Sequence, residues 1–461
     1  MENPKATISE GVKQKDHDTL WNLPNDILDQ ILSLLPTKEA VATSVLSRKW
    51  RYVWTSCLVL DFDSEKNMKP LTHCSRYQDQ DFEDKQYQCQ FVNWVDGVVE
   101  RHIGPNLEKF RVCFPLNLSF GLFIDKWVKF AVKKRVEVLF LDFSAESHRS
   151  TYLGNGLCDV LTQAYGYGEY RALKHLCLKS VGVTTRDIEF VLSNCPCLEV
   201  LEVSDCPNLT SLTVSSPFGL NLKLLSIEAW QGGLENVWIS EAKLVSFSYS
   251  GYPTELELSN VPQLVEVSIS ERDGLVTDDH RALLFTQLSG CLSQLHTLRI
   301  DLNGMVDREV YSVPALPNIR HLELEVLVED SLVLEQINCF MKACSYMQKL
   351  VIRMQFKYSE EFMYPEVNLK EPADANTCSH HHLEVVEIVS FRGRKGAVKI
   401  VMFLTKAIVS LKKVVINSVR QLFRGELVDD SDEDVEEEEA RRQALHELKR
   451  KMPAAISFRC L

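Results

Sequence analysis

Cys195 to Leu209 reads CPCLEVLEVSDCPNL. Within it Leu198, Leu201 and Val203 follow the order apolar-x-x-apolar-x-apolar, and a polar turn comes next. Side chains along a strand alternate between its two faces, so the apolar positions wedge inward and the intervening ones stay exposed. Cys206 falls in the turn after the strand, where its thiol is placed to bond the backbone. Cys195, Cys197 and Cys206 lack a fourth ligand nearby, so no metal site is expected.

The same hexad recurs along the chain. It begins at residues 107 (LEKFRV), 136 (VEVLFL), 173 (LKHLCL), 198 (LEVLEV), 209 (LTSLTV), 222 (LKLLSI), 244 (LVSFSY), 264 (LVEVSI), 295 (LHTLRI), 319 (IRHLEL), 347 (MQKLVI), 383 (LEVVEI) and 411 (LKKVVI). The mean spacing is about 25 residues, which resembles a leucine-rich repeat. Between hexads, Phe91 to His102, Phe123 to Val136 and Thr185 to Cys195 read as convex helices. The gaps of 11 and 13 around residue 209 leave no room for a helix and are expected to be loops. The reading is an α/β protein in which residues 57–364 form an irregular leucine-rich-repeat solenoid with a parallel sheet on its concave side.

Before the solenoid the densest pattern is LWNLPNDILDQILSLLPTKEAVATSVLSRKWRYVW, Leu20 to Trp54. Ile27, Leu28, Ile31, Leu32, Leu34 and Leu35 recur at helical spacing, Pro24 suits the start and Pro36 the stop. Thr37 is placed to cap a second short helix, and Ser44 or Ser47 a third that carries Leu46, Trp50, Val53 and Trp54. Three helices in under about 40 residues carry more apolar surface than they can bury among themselves. The surplus points to a partner contact.

The run Leu23-Pro24-Asn25-Asp26-Ile27-Leu28 through Ser47-Arg48-Lys49-Trp50-Arg51-x-x-Trp54 resembles an F-box of the large plant family, and places the three-helix box at residues 18–56. Leu58 to Asp63 continues the resemblance as a strand. Residues 365–420 resemble the FBD domain, carried by Leu383, Val386, Glu387, Ile388, Phe391, Gly393, Ala407, Leu411 and Ile416. They imply a strand, a Gly-rich turn, a helix and a strand. His380, His381 and His382, and the turn bearing Arg392, Arg394 and Lys395, read as solvated.

The ends differ from the body. Residues 1–17 read as disordered. Residues 421–461 read as an acidic, disordered tail, because Asp429 to Glu439 (DDSDEDVEEEE) holds nine acids in eleven positions. Arg441 to Met452 is the one stretch of it able to form a short helix. The chain has 64 acidic and 51 basic residues among 461, a balance that argues against a nucleic-acid partner. No stretch of eighteen apolar residues offers a membrane span. The first nineteen residues lack a signal-like apolar core, and the scattered cysteines fit a reduced compartment, nucleus or cytoplasm.

No catalytic motif stands out, so an enzyme is not expected and neither is a cofactor. The F-box resemblance implies binding to a Skp-type adaptor and, through it, to the cullin and RING subunits of an SCF ubiquitin ligase. The repeats would then hold an unknown protein target for ubiquitination. For the adaptor contact or its support the resemblance points to Leu23, Pro24, Ile27, Leu28, Ile31, Leu32, Leu35, Pro36, Val45, Leu46, Trp50 and Trp54. Exposed hexad positions, Lys174, His175, Glu199, Glu202, Lys223, His296, Arg299 and Arg320 foremost, with Thr210 and Thr213 among the others, would face the target. The alternative is a leucine-rich-repeat scaffold without a ligase role, and adaptor binding separates the two.

Overall fold

Each of the thirteen hexads forms a strand in the computed structural model, which describes residues 24–48, 50–63, 80–116, 118–144, 169–215, 220–230, 232–252, 254–271, 285–302, 313–356, 369–372, 380–419 and 435–461. The chain divides into two units, Met1–Arg111 and Val112–Leu461.

The first unit contains helices α1 (Asn25–Ser33), α2 (Thr37–Ala42) and α3 (Trp50–Val53), strand β1 (Val59–Asp63), helix α4 (Gln80–Arg101) and the start of strand β2 (Lys109–Cys113). Pro36, not Thr37, occupies the cap position of α2; the Thr37 hydroxyl instead accepts the Asp61 amide at 2.7 Å, tying the helices to β1. Ser47 Oγ accepts the Trp50 amide at 3.3 Å, which opens α3 as the sequence indicates. Phe62 is fully buried edge-on to Trp94, 5.1 Å between ring centres, and to Phe110, 5.8 Å. Such edge-to-face rings pack with their quadrupoles aligned.

The second unit continues with helix α5 (Gly121–Lys133), β3 (Val138–Asp142), β4 (His175–Lys179), α6 (Thr185–Asn194), β5 (Val200–Ser204), β6 (Ser211–Ser215), β7 (Leu224–Ala229), β8 (Asn236–Ser240), β9 (Ser246–Gly251), β10 (Glu255–Ser259), β11 (Glu266–Glu271) and β12 (Thr297–Asp301). It ends with β13 (His321–Leu327), α7 (Val333–Ala343), β14 (Lys349–Gln355), β15 (Val385–Val389), α8 (Lys395–Ala407), β16 (Lys413–Asn417), α9 (Val435–Lys451) and β17 (Ser457–Cys460). Within this unit β3, β4, β5, β7, β9 and β11 to β17 lie side by side, parallel, in one sheet. One buried column runs through matched register from Leu139 on β3 by way of Leu201, Phe247 and Leu322 to Val414 on β16. Several strands end sharply: Ser180, Asp205 and Ser390, the residues after β4, β5 and β15, all have positive φ. Cys206 Sγ donates to the Leu178 and Ser204 carbonyls, so the turn thiol bonds backbone as expected.

Three expectations are corrected. The hexad at 209 is β6, which lies not in the main sheet but in a second parallel sheet, β10-β8-β6. Thr210 and Thr213 therefore leave the concave face. The turn between β5 and β6 holds no helix and is a loop, as expected; further on, β8 and β10 stand between strands of the main sheet, with Val237, Ile239, Leu256 and Leu258 buried where convex helices stand elsewhere. The outer edge of this sheet at β6 is closed by a side chain. Thr185 Oγ1 donates to the Ser211 carbonyl at 2.8 Å and accepts the Ser211 amide at 3.1 Å. At the β10 edge, Gln294 Nε2 donates to the Val261 carbonyl at 2.6 Å.

The second correction concerns the tail. Residues 435–461 are not disordered: α9 is followed by β17, which pairs with β16 in register. Acids at the start of α9 and Lys449, Arg450 and Lys451 at its end complement the helix dipole. Leu448 and Ala444 on α9 are buried, and that burial outweighs the charge of the preceding run. The run's first half lies outside the described residues.

The third concerns the FBD-like turn. His381 and His382 are exposed, but His380 is buried. Arg392 is buried as well, and Arg394 pairs with Glu329 at 2.8 Å while its guanidinium lies 4.6 Å from the Phe356 ring centre. Gly396 has no room for a side chain: an added Cβ would come within 2.8 Å of Val328 Cγ1.

Two outcomes follow. Leu448→Ala should cost about 2–4 kcal/mol in urea unfolding, the cost of a cavity in a core; a surface-like change under about 0.5 kcal/mol would place α9 outside the cooperative unit. Burial holds the His380 imidazole below its ordinary value. The unfolded chain therefore takes up that proton first, so the stability is present above pH about 6.5 and lost as the pH falls below it. His380→Gln should flatten the decline between pH 7 and 5, and an unchanged slope would clear the ring of any part in it.

Candidate interaction surfaces

Helix α1 carries two apolar stripes. Leu28 and Leu32 are fully buried, and Trp50 and Trp54 join them in the core of the first unit. These four present no open surface. Ile31, Leu35 and Pro36 are half-buried, and Pro24 and Ile27 are exposed. Leu23 lies outside the described residues. Ile27, Ile31 and Leu34 follow the spacing i, i+4, i+7 and form the outward stripe. Leu34 and Val45 are each 85% exposed, with Leu46 and Tyr52 also open to solvent. Leu34, which the helical spacing includes, and Tyr52 are absent from the residues expected at the adaptor contact; no periodic signal marks Tyr52.

On the second unit the exposed hexad positions meet across strands in matched register, and they meet as ion pairs. Lys174 bonds Glu137 at 2.6 Å, which raises its pKa, and Lys223 bonds Glu199 at 2.8 Å. The four stand just before β4, β3, β7 and β5, alternating in sign along the strand entrances. His175 Nε2 lies 3.5 Å from Glu202, and the imidazole beside it holds that carboxyl below the usual range. Arg299 bridges Glu266 at 2.9 Å and Glu323 at 3.1 Å. Arg353 bonds the other oxygen of Glu323, which is buried between the two guanidiniums. His296 and Arg320 are exposed at the entrances of β12 and β13. Of the eight foremost residues, Lys174, His175, Glu199, Glu202, Lys223 and Arg299 are thus committed to partners within the chain.

The buried thiols offer little chemistry. Burial pushes Cys195 and Cys206 up to about 12, far from a reactive thiolate at neutral pH. Among the described residues no group of three or more His, Cys, Asp and Glu stands together in a metal-binding arrangement.

Residues 152–457 match the family model described as At1g61320/AtMIF1, LRR domain, and residues 20–62 match the F-box domain. The repeat match runs through α9 to the first residue of β17, in line with the pairing of β17 with β16. The chain is 25% identical to the Arabidopsis thaliana F-box/FBD/LRR-repeat protein At5g56420, over 87% of this chain and 91% of that one. It is 24% identical to the putative FBD-associated F-box protein At5g56440 of the same plant, covering 87% and 93%. With the F-box/FBD/LRR-repeat protein At1g13570, also of Arabidopsis thaliana, it shares 31% identity over 52% and 55%.

Removing a buried charge and removing an exposed one should differ. Glu323→Ala strands two guanidiniums and should cost about 3 kcal/mol in denaturant unfolding. Glu384→Ala breaks an exposed pair with Lys412 and should cost about 0.5 kcal/mol or less. Equal costs would show that burial does not set the strength of these pairs.

Proposed function

The chain belongs to the plant F-box/FBD/LRR-repeat family, and from that premise we propose that it is the target-recognition subunit of an SCF-type cullin-RING ubiquitin ligase. At the level of the family, an F-box implies binding to a Skp-type adaptor. The observation that carries the reading for this chain is the apolar surface of the first unit. Leu34, Val45, Leu46 and Tyr52 are exposed while Leu28, Leu32, Trp50 and Trp54 are packed beneath them. Exposed aromatic and aliphatic anchors on a rigid base are what an adaptor groove would take.

The second unit would hold the target, and the transfer chemistry would lie on other subunits. Its contribution is positional: a target lysine held beside a charged enzyme reacts at a high effective concentration. Such a role implies the nucleus or the cytoplasm as its compartment.

The test is co-purification of the whole chain with a Skp-type adaptor. Val45→Asp with Leu46→Asp should abolish capture without lowering the unfolding midpoint. Trp50→Ala should cost about 3–5 kcal/mol of stability, because it empties a core position. If well-folded wild-type chain brings down no adaptor, the ligase role fails and a scaffold role takes its place.

A further inference from the structure

The second sheet turns one face outward. Along β6, β8 and β10 burial alternates, so one set of side chains packs inward and the other lies open. At the centre of the open set stands Trp238, 39% exposed. It is the one tryptophan among the described residues that is open to solvent. Trp50, Trp54 and Trp127 are buried, and Trp94 and Trp230 are half-buried. The Trp238 indole makes no hydrogen bond and no ring contact among the described residues.

Parallel register supplies its neighbours. Thr213 on β6 and Glu257 on β10 stand directly opposite Trp238, one strand spacing or about 5 Å to either side. Asn236 and Glu255 form the next row of the same face. Asn236, with its amide nitrogen turned toward β10, donates to the Glu255 carboxylate at 2.7 Å. Glu257 has neither a hydrogen bond nor an ion pair among the described residues. The three strands, SLTVS, NVWIS and ELELS, contain no lysine, arginine or histidine. The concave side differs: there Glu199, Glu202, Glu266 and Glu323 each meet a basic side chain of the same chain. On the outer face an aromatic ring and a carboxylate, both without a partner, stand side by side.

One side chain answers both groups at once. A guanidinium is flat on its faces and carries its N–H groups at its edge, so it can stack on an indole while donating to a carboxylate. A lysine ammonium is a compact, strongly hydrated charge without that planar fork. An aliphatic side chain laid on the ring would take water from the Glu257 carboxylate and give nothing back.

We infer that the outer face of the second sheet is a docking surface for an arginine side chain in an extended segment of another protein, stacked on Trp238 and paired with Glu257. The Glu255 carboxylate adds to the negative field that draws the cation in. This surface lies outside the F-box and the concave face, so it serves a scaffold as readily as a ligase subunit.

The full-length chain is isotope-labelled at its seven tryptophan indoles, and the indole N–H signals are followed by NMR. Trp238→Phe assigns the Trp238 signal by its loss. Heptapeptides with arginine, lysine, citrulline or leucine at the centre of Gly/Ser flanks are titrated to about 10 mM, the range of a single anchor. The arginine peptide should shift the Trp238 signal saturably, at least about threefold more tightly than the lysine peptide, and salt should weaken it. Citrulline keeps the shape and lacks the charge, so its peptide should bind at least about fivefold more weakly. Glu257→Gln should weaken arginine-peptide binding about threefold, and Glu257→Lys should abolish it, with the unfolding midpoint unchanged in both. A Trp238 signal unmoved by the arginine peptide overturns the inference. So does a citrulline or leucine peptide that binds as well as arginine, which would make the face an apolar one. Arginine-peptide binding indifferent to Glu257→Lys places the contact elsewhere, and a Trp238 signal that shifts with protein concentration alone makes the occupant a second copy; either result also overturns it.

Discussion

A strand of five residues buries two side chains and has no core of its own to put them in. Everything in the second unit follows from that constraint. Leu201 and Val203 are covered only because neighbouring turns bring Leu176, Leu178, Leu225 and Ile227 to the same level. The core is therefore a column shared by all turns and owned by none. A stack of this kind must be closed at its end, and α9 with β17 closes it by burying Leu448 and setting Phe458 beside Val414. The acids in the second half of the acidic run do not prevent this, because Glu436 to Glu439 stand at the helix start, where the dipole favours them.

The parallel register that builds the core also disciplines the surface. Equivalent positions on adjacent strands stand one strand spacing apart, close enough for like charges to repel. The sequence answers with alternation: Glu137, Lys174, Glu199, Lys223 at the entrances, and Glu266, Arg299, Glu323, Arg353 across the middle. The exposed pairs at the entrances contribute little stability apiece. Their effect is to leave much of the concave surface electrically quiet.

Much of this was legible from residue order alone. Thirteen hexads predicted thirteen strands because an inward pair of Leu, Ile or Val at fixed spacing is what the shared column requires. The F-box helices were legible for the same reason, from Ile27 to Leu35. What failed was placement. The hexad at 209 has the right pattern and sits in the other sheet, since alternation says which side chains are buried and not which layer buries them. The same spacing at Leu234, Val237 and Ile239 was present and passed over. β17 has no leucine to announce it, and composition alone misjudged its neighbourhood. In the adaptor set, periodicity found the helix faces but not which face turned outward, so buried Trp50 was grouped with exposed Leu46.

A chain that builds a second parallel sheet also acquires two further rows of backbone donors and acceptors at its margins. Such margins recruit strands from other molecules, the common route to unwanted self-association. Here one hydroxyl, on Thr185, takes both backbone groups of Ser211, and the Gln294 amide reaches the Val261 carbonyl just beyond the opposite margin. Thr185 is thus less a helix residue than a blunt end for its neighbour's hydrogen-bond ladder. The freedom to replace helices by strands in this protein depends on its keeping such stoppers.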